Sequence, residues 1–292
     1  MYDTIIIGGG PAGLTSAIYL RRANKKVLVL EANVCGGQIV NAKDIQNYPG
    51  FNSISGSDLS EKMMNQALEL GAEIKYETVL KVEEDKTVYT SKNTYKAKTI
   101  IIAVGSKNRK LKIENEEKLI GKGISYCATC DGNFFKGKEV AVVGGGDTAL
   151  DDILYLSDIA SKVYAIVRGD SFKGETNELS EIEKRNNVVI KYNSVVTGLK
   201  GDSLLEGIII NDNEEINVSG LFIAIGQEPN NMMFKNIIDL DENGYIITMD
   251  EVKTKHDGIY VVGDARKKML RQLTTAVSDG ALAATYAIKE ME

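Results

Sequence analysis

Short apolar runs alternate with glycine turns and helix-length stretches along this chain. Thr4-Ile5-Ile6-Ile7 is apolar on both faces of a strand, the pattern of a buried parallel strand. Leu14 to Ala23 follows as a helix, and Val27-Leu28-Val29-Leu30 repeats the strand pattern. Ser57-Asp58, with Glu61 beyond, predicts the N-cap of a helix over about 58–70. Strands are expected over 73–76, 79–83 and 86–90, and again from Thr99 into Gly105. The same order then recurs. Val140 to Val143 reads as a strand, Leu150 to Leu156 as a helix and Val163 to Val167 as a second strand, while Gly220 to Gly226 echoes the run ending at Gly105. A last strand is expected over 258–264 and a helix over about 274–289. This internal self-similarity predicts an α/β fold with two related, Rossmann-like dinucleotide-binding domains.

Glycines sit where such folds turn. Gly8-Gly9-Gly10-Pro11-Ala12-Gly13 is G-x-G-x-x-G after the first strand. Its glycines allow a tight turn and let backbone N–H groups approach a pyrophosphate at the helix N-terminus. Glu31 ends the second strand, the place where an acid holds a ribose hydroxyl pair. Gly144-Gly145-Gly146-Asp147-Thr148-Ala149 occupies the matching place in the second half. Asp264 follows a strand and a glycine, where it can accept hydrogen bonds from ligand hydroxyls; alone it reads as a turn aspartate. Between the two turns lies Cys127-Ala128-Thr129-Cys130-Asp131-Gly132. A C-x-x-C pair is half of a zinc site, a redox dithiol or chance. The nucleotide-type turn just downstream favours electron transfer.

Composition narrows the field. With 292 residues the chain exceeds one comfortable core, so two domains are expected. A net charge of −6 gives no reason to expect nucleic-acid binding. Met1-Tyr2-Asp3 runs straight into a strand, so no signal peptide is expected, and the longest uncharged stretch, Thr4 to Leu20, is broken by glycines and is not a membrane span. Three cysteines fit a reducing, cytoplasmic setting better than a disulfide framework. A zinc site would need Cys35, Cys127, Cys130 and the single histidine, His256, to converge, and no metal is expected.

These motifs together resemble the low-molecular-weight thioredoxin reductases over essentially the whole length. The resemblance rests on Gly8 to Gly13, Gly36-Gly37-Gln38, the Cys127-to-Gly132 string, Gly144 to Ala149, Gly263-Asp264 and Arg271-Gln272. It implies FAD bound by residues 1–110 and 229–292, with a disulfide domain of NADPH-domain-like fold over 111–228. FAD contacts are then expected from Gly8, Gly10, Pro11, Ala12, Gly13, Glu31, Gly37, Gln38, Asn47, Val79, Gly105, Asp264, Arg271 and Gln272. It also implies that Cys130 is the flavin-proximal sulfur, that Cys127 attacks the disulfide of thioredoxin, and that Asp131 gives and takes the proton. The family is typically homodimeric.

The second nucleotide site departs from the family pattern. NADPH-using members carry H-R-R-x-x-x-R, which clamps the 2′-phosphate; here the stretch is Val167-Arg168-Gly169-Asp170-Ser171-Phe172-Lys173. Only Arg168 matches unchanged, and Asp170, Glu175, Glu178, Glu181 and Glu183 follow against Lys173, Lys184 and Arg185. Gly144, Gly146, Ala149 and Arg168 therefore form a degenerate site, and the expected donor is ferredoxin, as in a clostridial-type group with a similar eroded clamp. A ferredoxin at about −400 mV against thioredoxin at about −270 mV releases about 6 kcal/mol for two electrons. The alternatives are a weaker NADPH-dependent reductase and a flavin-binding redox sensor without turnover. Two basic runs, Lys107-Arg109-Lys110-Lys112 and Arg266-Lys267-Lys268, offer a docking face for an acidic carrier, although such runs are usually only solvated.

Overall fold

The computed structural model describes residues 1–42, 44–174 and 176–292. Glu175, counted above among the acids, lies outside them. The chain forms two compact units: Met1–Lys107 with Glu228–Glu292, and Asn108–Gln227.

The first unit opens with β1 (Tyr2–Ile7), α1 (Pro11–Arg22), β2 (Val27–Glu31), α2 (Gly56–Glu69) and β3 (Glu73–Tyr76). Strands β4 (Val79–Val82), β5 (Thr87–Thr90) and β6 (Thr94–Ile102) follow. β3, β2, β1 and β6 run parallel in that order, while β5 and β4 extend the sheet antiparallel. Successive residues of β1 face opposite sides. Ile6 packs with Leu14, Leu20 and Ala283 on one side, and Ile5 and Ile7 with Ile100, Phe234 and Val261 on the other. An apolar run without alternation is thus a strand covered on both faces.

After β7 (Ser106–Asn108), the second unit contains the short helices α3 (Glu116–Leu119) and α4 (Ala128–Asp131), with β8 (Ile124–Ser125) between them. Then come β9 (Glu139–Val143), α5 (Asp147–Ser157), β10 (Lys162–Ile166), α6 (Thr176–Glu183) and β11 (Val188–Lys191). A meander of β12 (Val196–Lys200), β13 (Gly207–Ile210) and β14 (Glu214–Asn217) precedes β15 (Gly220–Ile223). β11, β10, β9, β15 and β8 make a parallel sheet in that order, and β12 to β14 a separate antiparallel one. The chain returns through β16 (Gln227–Pro229), which pairs with β7, to β17 (Ile259–Val261) beside β6, and to α7 (Leu273–Glu290).

Several boundaries differ from expectation for local reasons. α1 begins at Pro11, not Leu14, because proline is preset for the first helical position and Gly10 serves as N-cap. α5 likewise starts at Asp147, inside the glycine turn, not at Leu150. α2 opens two residues early: Ser55, not Ser57, is its N-cap and accepts the Asp58 N–H at 3.1 Å. The strand expected from Thr99 starts at Thr94, since its first half pairs with β5 and is half exposed. α6 and the β12–β14 sheet lay outside the expected elements.

Candidate active site

Cys127 caps α4 and Cys130 lies in it, and the single turn brings their Cα atoms to 5.3 Å in a disulfide. Cys127 is the N-cap, its Sγ accepting the Cys130 N–H at 3.2 Å, with Thr129 Oγ1 3.4 Å from the same sulfur. Asp131 closes the turn. Its N–H donates to the Cys127 carbonyl at 3.1 Å, and its carboxylate accepts the Ser125 hydroxyl at 2.6 Å. Ser125 Oγ in turn accepts the Cys127 N–H at 3.0 Å. Burial pushes the Asp131 carboxyl above the usual carboxylate range, and the Ser125 bond draws it part of the way back. A carboxyl poised this way is suited to exchange a proton with a thiol. Glu116, buried on α3, accepts the Tyr126 hydroxyl at 2.9 Å and so pins the residue before Cys127.

The first glycine turn is tightly built. Gly8 has φ +109, and a Cβ there would stand 2.3 Å from the Ala103 carbonyl oxygen. A Cβ on Gly13 would stand 2.0 Å from the Gly8 oxygen. Gly10 is the α1 N-cap, Pro11 its first residue, and Ala12 is buried behind them. Glu31 Oε2 accepts the Gly9 N–H at 2.7 Å, which ties the end of β2 to the turn. Gly37 stands against the same turn, a Cβ on it falling 3.4 Å from Gly10 Cα. Gln38 Nε2 donates to the Ser106 carbonyl at 2.7 Å, next to Gly105. Asn47 Nδ2 donates to Gln272 Oε1 at 3.2 Å, and Gln272 is the N-cap of α7. Val79 is not brought to this group by its side chain, which packs in the apolar layer with Ile5 and Ile100.

Asp264 follows Gly263 in a single 3-10 turn after β17. Its Oδ1 is buried with no partner among the described residues, and Arg271 Nε is in the same condition. Burial pushes the Asp264 carboxyl up, against the pull of Lys268 and Arg271. Arg271 lies 4.1 Å over the Tyr245 ring. The turn is held from α7: Asp279 accepts the Gly263 N–H at 2.9 Å and binds Arg266 at 2.9 Å and Lys268 at 2.8 Å. This corrects the second basic run, since Arg266 and Lys268 are spent on Asp279 and Lys267 alone stands exposed. In the first run Lys110 pairs with Glu117. A buried acceptor and donor without partners, beside a glycine cradle, fit a ligand with hydroxyls and phosphates.

At the second turn, Gly144 has φ +155 and a Cβ on it would stand 2.3 Å from the Ala224 oxygen, the same close approach as at Gly8. Gly146 is the α5 N-cap and Ala149 is buried in the first turn. Arg168 is exposed, whereas Val167 is 2% exposed, its Cγ1 3.3 Å from the position of a Cβ on Gly145. Lys173 N–H donates to the Gly145 carbonyl at 2.7 Å, and the Asp147 carboxylate stands at the helix start.

Ser125 and Asp152 were missed in the sequence. Ser125 precedes the dithiol with no motif of its own. Asp152 carried a signal: it shares the buried stripe Ala149, Asp152, Ile153, Leu156 of α5, an acid on an apolar face.

Comparison with known proteins follows the same lines. Residues 2–280 match the family described as pyridine nucleotide-disulphide oxidoreductase. The chain is 43% identical to a thioredoxin reductase of Listeria monocytogenes over 301 residues, covering 100% of this chain and 94% of that one. It is 42% identical to a thioredoxin reductase of Bacillus subtilis, covering 97% and 93%. The crystal structure of thioredoxin reductase from Streptococcus pyogenes superposes with a TM-score of 0.94 at 39% identity, covering 100% and 98%.

Proposed function

The chain belongs to the low-molecular-weight thioredoxin reductases of the pyridine nucleotide-disulphide oxidoreductase family, and from that premise we propose how its residues divide the work. It is a flavin disulfide oxidoreductase, and thioredoxin is its substrate. The Gly8-to-Gly13 turn, Glu31, Gly37, Asp264, Arg271 and Gln272 are assigned to FAD, and the orphaned Asp264 Oδ1 is the observation that fits it best. Bound FAD supplies two-electron reduction of the Cys127–Cys130 disulfide. Two electrons and two protons then leave two thiols, one of whose protons Asp131 holds or passes on. Cys127, as thiolate, attacks the disulfide of thioredoxin, forming a mixed disulfide and releasing one substrate thiol. Cys130 attacks Cys127 Sγ, restores the pair and releases the second. Free cysteine ionises near pH ~8.5, so Asp131 serves as the local base. Cys127→Ser should abolish thioredoxin-disulfide reduction while flavin stays reducible; retained turnover would remove Cys127 from this role.

Reduced ferredoxin is the donor we favour. The observation that carries it is the second turn, where Val167 fills the histidine position from within the core and Asp147 sets an acid at the helix start. A 2′-phosphate would meet Arg168 and Lys173 alone from the clamp, with negative charge close by. The intact turn at Gly144 favours the second reading, a weak NADPH site. Anaerobic mixing separates them: flavin bleached rapidly at micromolar NADPH would refute the ferredoxin donor. A cytoplasmic homodimer completes the proposal, to be checked by sedimentation.

A further inference from the structure

Helix α5 is the floor beneath the dithiol. Gly132, directly after α4, lies so close to it that a Cβ would stand 2.8 Å from Tyr155 Cε1 and 3.2 Å from Leu156 Cδ2. Asp152 on the same helix is 8% exposed, and its carboxylate receives the N–H of Ala128, the fully buried residue that follows Cys127. Bond lengths then put that carboxylate within about 8 Å of Cys127 Sγ. We propose that Asp152 is the positioning residue of the dithiol: it holds the first turn of α4 by the Ala128 N–H, and its charge sets the thiolate fraction of reduced Cys127. The proposal rests on the redox role of the pair given above.

The elements packed on α5 are α4, α6, β9 and β10. Their ionisable groups are Asp131, bonded to Ser125; Glu178, Glu181 and Glu183 of α6; Glu139, bonded to Tyr164; and Lys162, over the Tyr164 ring. Burial pushes the Asp152 carboxyl up to about 7; the Ala128 N–H opposes this and Asp151 adds to it. Ionised, Asp152 disfavours a thiolate beside it; protonated, it does not. Reduction of the disulfide with Asp152 ionised takes up two electrons and two protons. The S–S bond breaks, one proton goes to a sulfur and one to Asp152, and the other sulfur remains a thiolate.

The test uses the reduced, flavin-loaded enzyme and the rate of iodoacetamide alkylation at Cys127 from pH 5 to 9, read by peptide mass spectrometry. The wild type should show an inflection near pH 7 besides that of the thiol. Asp152→Asn keeps an acceptor for the Ala128 N–H and removes the charge. It should lose the lower inflection and raise the alkylation rate at pH 7.5 about tenfold, equal to one pKa unit. Asp152→Glu should restore the inflection, and Asp151→Asn should keep it at lower pH. A lower inflection that persists in Asp152→Asn, or a wild-type profile with the thiol inflection alone, overturns the proposal. Should reduction expose no alkylatable pair at all, it is the redox reading that fails.

Discussion

Asp264 and Asp279 flank one turn and stand in opposite circumstances. Asp279 has two cations and a backbone N–H, which outweigh its burial and hold its carboxyl below the usual range. Asp264 has a buried oxygen with no partner among the described residues, a costly state without ligand. Asp264→Asn should therefore raise the melting temperature of flavin-free protein while lowering retained FAD at least tenfold, measured by calorimetry and flavin absorbance. Asp152 makes a pH prediction of definite sign. Its folded carboxyl titrates near 7 and its unfolded one near 3.8. The folded state thus holds the extra proton between those values, and stability falls as pH rises through that window, by about 4 kcal/mol at most. Urea unfolding of the disulfide form should show wild type losing ground to Asp152→Asn from pH 4 to 8. Ser125→Ala removes the bond that draws Asp131 down, so the acid limb of the pH–rate profile should move to higher pH.

Among the elements, α1 and α7 depend on small residues where they cross. A Cβ on Gly280 would stand 2.3 Å from the Ala12 oxygen, and Ser16 Oγ donates to the Gly280 carbonyl at 3.0 Å. Gly280→Ala should lower stability by about 2–3 kcal/mol and loosen FAD, seen as flavin lost on dilution. The strand–turn–helix units were legible because a strand buried on both faces is an unbroken apolar run, and close backbone approach demands glycine. The β12–β14 sheet was not, since Lys200 pairs with Glu215 across its surface and Glu214 reaches Lys191 of β11, charges that break the apolar pattern. The dithiol was legible from its spacing together with the nucleotide-type glycine turn just downstream. Its supports were not read: Ser125 and Asp152 each accept a backbone N–H, bonds that have no sequence signature, and only the place of Asp152 on an apolar helix face marked it.

The two units differ in how the chain builds them. Asn108–Gln227 is continuous and has apolar layers on both sides of its parallel sheet. A fragment of those residues should fold cooperatively with the Cys127–Cys130 disulfide and bind no flavin, checked by circular dichroism and thiol titration. Met1–Lys107 alone should not fold, because it lacks β17 along β6 and α7 against α1. During synthesis the same arrangement becomes an order of events. The dithiol unit is complete while the ribosome still has β17 and α7 to make, a delay on the order of ten seconds. Newly made chains would then pass through a stage with a finished sulfur site and an open flavin site. Scarce flavin would lengthen that stage, leaving protein whose dithiol has no electron supply.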